Sequence, residues 1–207
     1  MGFSIPDILT FTRLAWLLAL ALVGCASDEP APPVTPPPVT PPSDAGGADA
    51  SGDADAFCAS CGGCEEMQTV TTARHVVGPV DYPDPPPVGG EHSQCWGAWG
   101  EQATELKPER WVHNLEHGGV VLLFNCPDGC ADEVERMRGF VATHPRTILT
   151  PYHRLPERFA AVAWQYRLVS DCLDLTAFER FYTLHFDHGP ESIDAAPPSQ
   201  CLSRPEL

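Results

Sequence analysis

Hydrophobic positions along this chain fall into three regimes. From Leu14 to Val23 they form an almost unbroken run of Leu, Ala and Trp, preceded by Arg13 and followed by Gly24-Cys25. Between residues 57 and 110 the chain reads as irregular, because segments such as Asp84-Pro85-Pro86-Pro87-Val88-Gly89-Gly90 suit neither a helix nor a central strand. Regular periodicity begins near Trp111. Gly119-Val120-Val121-Leu122-Leu123-Phe124 is an apolar run of strand length, stopped by Asn125-Cys126-Pro127-Asp128-Gly129-Cys130. Val134, Met137, Phe140 and Val141 then recur at helical spacing, with Asp132 and Glu133 in the first turn, where the helix dipole favours acids.

Thr147 to Tyr152 is predicted to be the next strand. Ala160 to Val169 is predicted to be another, through the strict alternation of Val162, Trp164, Tyr166 and Leu168. A second helix follows, with Asp174 as its N-cap and Leu175, Phe178, Phe181, Tyr182 and Phe186 as its buried stripe, ending at Gly189-Pro190. Ser192 to Leu207 reads as coil pinned back by Cys201. The order strand, helix, strand, strand, helix implies an α+β fold: a small, largely antiparallel sheet with two packed helices and long loops pinned by disulfides.

The first apolar run changes the picture of where the protein works. It suits the core of a signal peptide and is short for a spanning helix. Leu22-Val23-Gly24-Cys25 resembles a lipobox, where a signal peptidase cuts before a diacylated cysteine. Residues 1–24 are therefore expected to be a lipoprotein signal peptide and Cys25 the lipidated residue. Each buried methylene of an acyl chain contributes about 0.8 kcal/mol, so such a Cys25 would hold the protein to a bilayer. By the sorting habit of similar lipoproteins, Ala26 leans towards the outer membrane. Residues 25–56 then read as a disordered tether rich in Pro, Ala and Asp. Its Pro30–Pro42 part suits stiff polyproline II reaching roughly 40 Å, and its Ser43–Ala56 part suits a flexible chain. Residues 57–207 are the globular domain, long enough to bury its own core.

The net charge is −16, which makes nucleic acid a poor partner and favours cations. The acids are scattered, as solubility alone would have them. Membrane contact through the lipid is the one association that the sequence implies; no protein partner can be read from it. Nine cysteines minus Cys25 leave eight, an even number in an oxidising compartment, so disulfides are the default. Cys58-Ala-Ser-Cys61-Gly-Gly-Cys64 also has the spacing of a soft-metal chelate or a redox pair, but it does not open a helix after a strand as a thioredoxin-like site would. Cys126 and Cys130 bracket a Pro-Asp-Gly turn, where a local bridge fits. Trp96 and Trp99, beside Gly97 and Gly100, suit either a ligand groove or the cap of a core under a long loop. No phosphate-binding Gly-rich loop, Gly-x-Ser-x-Gly elbow or Cys nucleophile stands out.

The most informative segment is Trp111-Val112-His113-Asn114-Leu115-Glu116-His117-Gly118-Gly119. Together with His75-Val-Val-Gly-Pro-Val-Asp-Tyr82, Pro86-Pro-Val-Gly-Gly-Glu-His92, Trp96, Gly100 and Gly189-Pro190-Glu191, it resembles the motifs of the DUF3105 family. That family comprises uncharacterised bacterial proteins, secreted or membrane-anchored. The resemblance spans residues 75 to 191 and implies fold and compartment more than mechanism.

His113-x-x-Glu116-His117 has the order of the inverted zinc-peptidase motif, in which two histidines at i and i+4 on a helix bind zinc and the Glu is the base. On a strand the two would stand about 13 Å apart. Because Gly118-Gly119 breaks a helix here, a turn through Leu115 to Gly118 is expected to bring His113 and His117 together. Such a peptidase needs an acidic ligand on a later helix, and only Glu179 offers itself. His75 and His92 precede the motif and extend the donor set. The metal reading thus names His75, His92, His113 and His117, with Glu116 as candidate base, and by ligand softness the ion would be Zn²⁺ or Cu²⁺. Against it stands a purely structural polar network, with Glu116 accepting from imidazoles and Asn114 tying down loop backbone. His144, His153, His185 and His188 read as surface or helix-end residues. A metal-binding envelope protein, a non-catalytic scaffolding module and a metal-dependent hydrolase all remain open.

Overall fold

The continuous apolar run at residues 119–124 is explained by a strand covered on both faces. In the computed structural model, which describes residues 57–203, Val120–Phe124 forms β5 at the middle of a six-stranded mixed sheet. The described elements in chain order are β1 (Glu65–Met67), β2 (His75–Val76), β3 (His92–Ser93), β4 (Gly100–Glu101), α1 (Pro108–Glu116), β5, α2 (Ala131–Thr143), β6 (Thr147–Pro151), β7 (Phe159–Ala163), β8 (Tyr166–Ser170), α3 (Leu175–His185) and α4 (Ser199–Leu202). The sheet order is β1-β8-β7-β5-β6-β4, and β2 pairs with β3 in a separate two-stranded ribbon. The expected signal peptide, Cys25 and tether lie outside the described residues. Among those described, no helix is long and apolar enough to cross a membrane.

The α+β class holds, with two refinements. β5 is antiparallel to β7 but parallel to β6, and β6 is parallel to β4, so the sheet mixes both pairings. The α2 connection between β5 and β6 is what permits the parallel pair, since parallel neighbours need a long crossover. The second refinement is α1. It packs on the sheet face opposite α2 and α3, adding a third main helix to the two read from the sequence. Trp111, Val112 and Leu115 of α1 pack with Val121, Leu123, Ile148 and Val162 of the sheet, while Leu122, Leu149, Phe159, Leu168, Met137, Phe178 and Phe181 fill the other side.

Ala160 to Val169 is a hairpin and not the single strand expected. Ala163 pairs with Tyr166 across a two-residue turn at Trp164-Gln165, where Gln165 has φ 70°. The alternation survives the reversal, which hides it: Val162 and Trp164 belong to the α1 side, whereas Tyr166 and Leu168 belong to the α2/α3 side. Asp174 caps α3 as expected, its Oδ1 accepting the Ala177 N–H at 3.0 Å.

All eight cysteines of the domain are paired: Cys58–Cys64, Cys61–Cys172, Cys95–Cys201 and Cys126–Cys130. The Cys58 cluster is thus structural, with neither a chelate nor a free redox pair. Two bridges span 111 and 106 residues of sequence. Closing loops of that size removes unfolded-state entropy worth on the order of 4–5 kcal/mol each in a chain-entropy account. Cys201 pins the C-terminal segment as expected, with α4 as a short helical turn around it.

Candidate metal centre

Helix α1 starts at Pro108, where a proline's missing N–H costs nothing, and runs to Glu116 with His117 as C-cap. The expected turn is therefore a true helical end. The two glycines after it act as more than breakers: Gly118 has φ 76°, and a Cβ there would press on Ser192 Oγ at 2.8 Å and Asp187 Cα at 2.9 Å. On this helix His113 and Glu116, three residues apart, share a face. In the β2–β3 ribbon His75 is registered against His92, so their side chains stand side by side.

These two elements bring His75, His92, His113 and Glu116 together, with one donor atom from each lying within 4.8 Å of every other. Measured from Glu116 Oε2, the Nε2 atoms of His92, His75 and His113 lie at 2.9, 3.6 and 3.8 Å. Metal bonds of about 2.0–2.1 Å at tetrahedral angles would set donors roughly 3.3 Å apart, so the cluster has the right scale. His92, His113 and Glu116 are buried, and His75 is the exposed member.

The buried imidazoles are oriented by backbone. His92 Nδ1 lies 2.8 Å from Gly90 O and His113 Nδ1 lies 2.7 Å from Ser93 O. A carbonyl oxygen only accepts, so both Nδ1 atoms carry hydrogen and both Nε2 atoms face the carboxylate. Backbone carbonyls fix the tautomer of metal-bound histidines in the same way. Burial pushes the His113 imidazole down to about 4, helped by the neighbouring His117, His92 and His75 and opposed by the Ser93 hydrogen bond. At Glu116 burial pulls the carboxyl upwards, but the His92 hydrogen bond and the charges of His92, His113 and His75 prevail and hold it below the usual carboxylate range.

His117 lies beside this group and not within it. Its ring centroid is 4.5 Å from that of His113, and its Nδ1 donates to Glu191 O at 3.0 Å. Glu116, read as a base, instead stands among the donors. Glu179 pairs at 2.9 Å with His144 and takes no part, so the ligand arrangement of an inverted zinc peptidase is not formed.

Trp96 packs over the site, its ring 4.9 Å from His113 and 4.7 Å from His117. No spacing in the sequence marks it as a wall of this cluster. Asn114 ties down the same loop as expected, accepting the Gly97 N–H at 2.8 Å and donating to Gly97 O at 3.0 Å. Trp99 fills the core-capping role, donating from Nε1 to Ala195 O at 2.9 Å. Of the remaining histidines, His153 and His188 are exposed and His144 stacks on Phe140. His185 lies in the last turn of α3, as the helix-end reading has it, but it is buried and not on the surface, stacked on Tyr166 and paired with Glu65 at 3.1 Å.

The fold and this cluster define an α+β domain carrying a buried histidine–carboxylate group on a scale that suits a metal ion. The family model described as "Protein of unknown function (DUF3105)" matches residues 75–197, more than half of the chain, and the protein belongs to that family. The match holds the whole cluster together with His117 and Gly189. No curated protein and no solved structure matches the chain.

Proposed function

We propose that this protein is a transition-metal-binding module of the bacterial cell envelope, lipid-anchored through Cys25, most naturally in the outer membrane. His75, His92, His113 and Glu116 would hold Zn²⁺ or Cu²⁺, ions that suit three imidazoles and one carboxylate. The observation that carries this reading is the orientation of His92 and His113. Each has its Nδ1 committed to a carbonyl and its Nε2 turned towards a buried carboxylate. Without an ion, the cluster relies on protons alone to separate its donors.

Plasma mass spectrometry of protein purified from an envelope fraction tests the proposal. Wild type should carry about one equivalent of zinc or copper, and the double variant His92→Ala/His113→Ala none, because two lost donors cannot be replaced by water without a large loss of affinity. Absence of metal from the wild type under zinc or copper supply would leave a scaffolding module as the standing account.

A further inference from the structure

The four donors differ in their access to solvent, and the difference has a chemical use. The His75 side chain is 46% exposed, whereas those of His92, His113 and Glu116 are 0, 3 and 3% exposed. The supports differ in the same sense. His113 and Glu116 ride on α1, which is packed on the sheet through Trp111, Val112 and Leu115, and His92 is anchored by its Nδ1 bond to Gly90 O. His75 sits on a two-residue strand that follows an irregular stretch at residues 68–74. Side chains alternate along a strand, so Val76 and Ser93 turn away from His75 and His92. A cavity of about 1070 Å³ is lined by Val76, Val77 and Ser93 among others, so the ribbon borders open space although Ser93 itself is buried. Val77, beyond the strand, is 98% exposed.

Building on the metal-binding proposal, we infer that the site exchanges its metal through His75. An incoming nitrogen or oxygen donor, from a metal carrier or from a substrate that coordinates the ion, enters from the solvent side. Its bond to the metal forms as the His75 Nε2–metal bond breaks. The oxidation state of the ion does not change, and the freed imidazole returns to solvent. His92, His113 and Glu116 retain the ion meanwhile. The protein would thus hand over or present a metal ion, as opposed to sealing it in as a structural ion with four closed ligands.

The test follows zinc transfer from the full-length protein to the chromophoric chelator 4-(2-pyridylazo)resorcinol by stopped-flow absorbance. Entry at an exposed ligand predicts a transfer rate that rises in proportion to chelator concentration. His75→Ala should still bind about one equivalent yet release it faster by roughly tenfold or more, while His92→Ala should fail to retain zinc. A rate independent of chelator concentration would mean that the domain must open first, and would overturn the inference. So would His75→Ala losing zinc as completely as His92→Ala. If the wild type takes up no zinc at all, it is the metal-binding proposal that fails, which separates the two.

Discussion

His92 Nε2 stands 2.9 Å from Glu116 Oε2, in a place where both side chains are closed off from solvent. Because His92 Nδ1 already donates to Gly90 O, a neutral ring would set its lone pair against a carboxylate oxygen. A proton or a metal ion must therefore lie between them. Isolated buried charges are costly, and a paired set that lacks one member costs more than a set replaced by apolar groups. The cluster is thus an expensive thing to keep for packing alone, which is the physical ground for reading it as a binding site.

Acid should weaken the metal-free protein over a defined range. His113 is held at about 4 in the fold, against 6.5 for a free imidazole, chiefly by burial. Below pH 6.5 the unfolded chain takes up a proton at this residue and the folded chain does not. Stability is therefore whole above pH 6.5 and is lost as the pH falls towards 4, by on the order of 3 kcal/mol if the full shift is expressed. Glu116, also held low, acts in the same direction at lower pH. Urea midpoints of chelator-treated protein at pH 7.5 and pH 5 should show the drop, and His113→Gln should flatten it. A midpoint that stays level across this range in the unmodified sequence would contradict the buried, neutral His113.

Two glycines should answer the same substitution with opposite signs. Gly189 lies against the end of α1, where an added Cβ would overlap Glu116 O and Gly118 N and approach Leu115 O to 2.6 Å. The neighbours are all backbone, so they cannot yield cheaply. Gly189→Ala should lower stability by about 1–3 kcal/mol and disturb the turn that carries Glu116. Gly139, exposed within α2, has nothing within 4 Å of its would-be Cβ. Gly139→Ala should stabilise by roughly 0.5–1 kcal/mol. Thermal unfolding of the two variants beside the wild type decides it, and a Gly189→Ala protein as stable as the parent would remove the close approach as an explanation.

Much of this was legible in the sequence, and the misses have physical causes. β5, α2, β6 and α3 were readable because each keeps a single period over its length. The β7–β8 hairpin was not, because a two-residue turn preserves alternation while exchanging faces, so Trp164 and Tyr166 look like neighbours on one side. Gly118-Gly119 signals an ending and so points to a turn, and a helix that ends at Glu116 with His117 as its cap satisfies that signal equally well. His75, His92 and His113 converge as the metal reading has it, though the spacing of the motif speaks only for His113 and His117, and His75 and His92 are drawn in by the family resemblance. That Glu116 joins them while His117 stays beside them depends on the rotation of the last helical turn, which residue types do not encode. Trp96 enters through a loop whose course is set by Asn114 and the Cys95–Cys201 bridge.

Anchoring is testable apart from the metal. Lipidation needs the Cys25 thiol, so Cys25→Ala should yield protein without acyl chains. Each acyl chain contributes about 0.8 kcal/mol per buried methylene, and two are needed for stable attachment. Because the peptidase cuts before a diacylated cysteine, the variant should keep residues 1–24, and its intact mass should show that segment and lack the lipid. A Cys25→Ala protein cut after residue 24 like the wild type, or a wild-type N-terminus that carries no acyl mass, would overturn the lipoprotein reading.

His117 offers the sharpest check on the boundary of the site. It shares with His92 and His113 the arrangement of an Nδ1 hydrogen bonded to a carbonyl, here Glu191 O at 3.0 Å, and its Nε2 is buried without a hydrogen-bond partner among the described residues. By chemistry alone it would pass for a ligand. By position it does not belong to the four-donor group, and its ring is held between His113 and Trp96. Replacement by phenylalanine keeps a ring of similar size and removes both nitrogens, so packing is disturbed less than by alanine. His117→Phe should keep about one equivalent of metal with affinity reduced at most roughly 10–100-fold, as expected when a neighbour of the ligands is lost. His113→Phe should keep none. Circular dichroism must match the wild type in both, so that loss of metal is not loss of fold. Should His117→Phe lose metal as completely as His113→Phe, the ion would have to draw His117 into its coordination sphere, and α1 would have to turn at its last residues when metal binds.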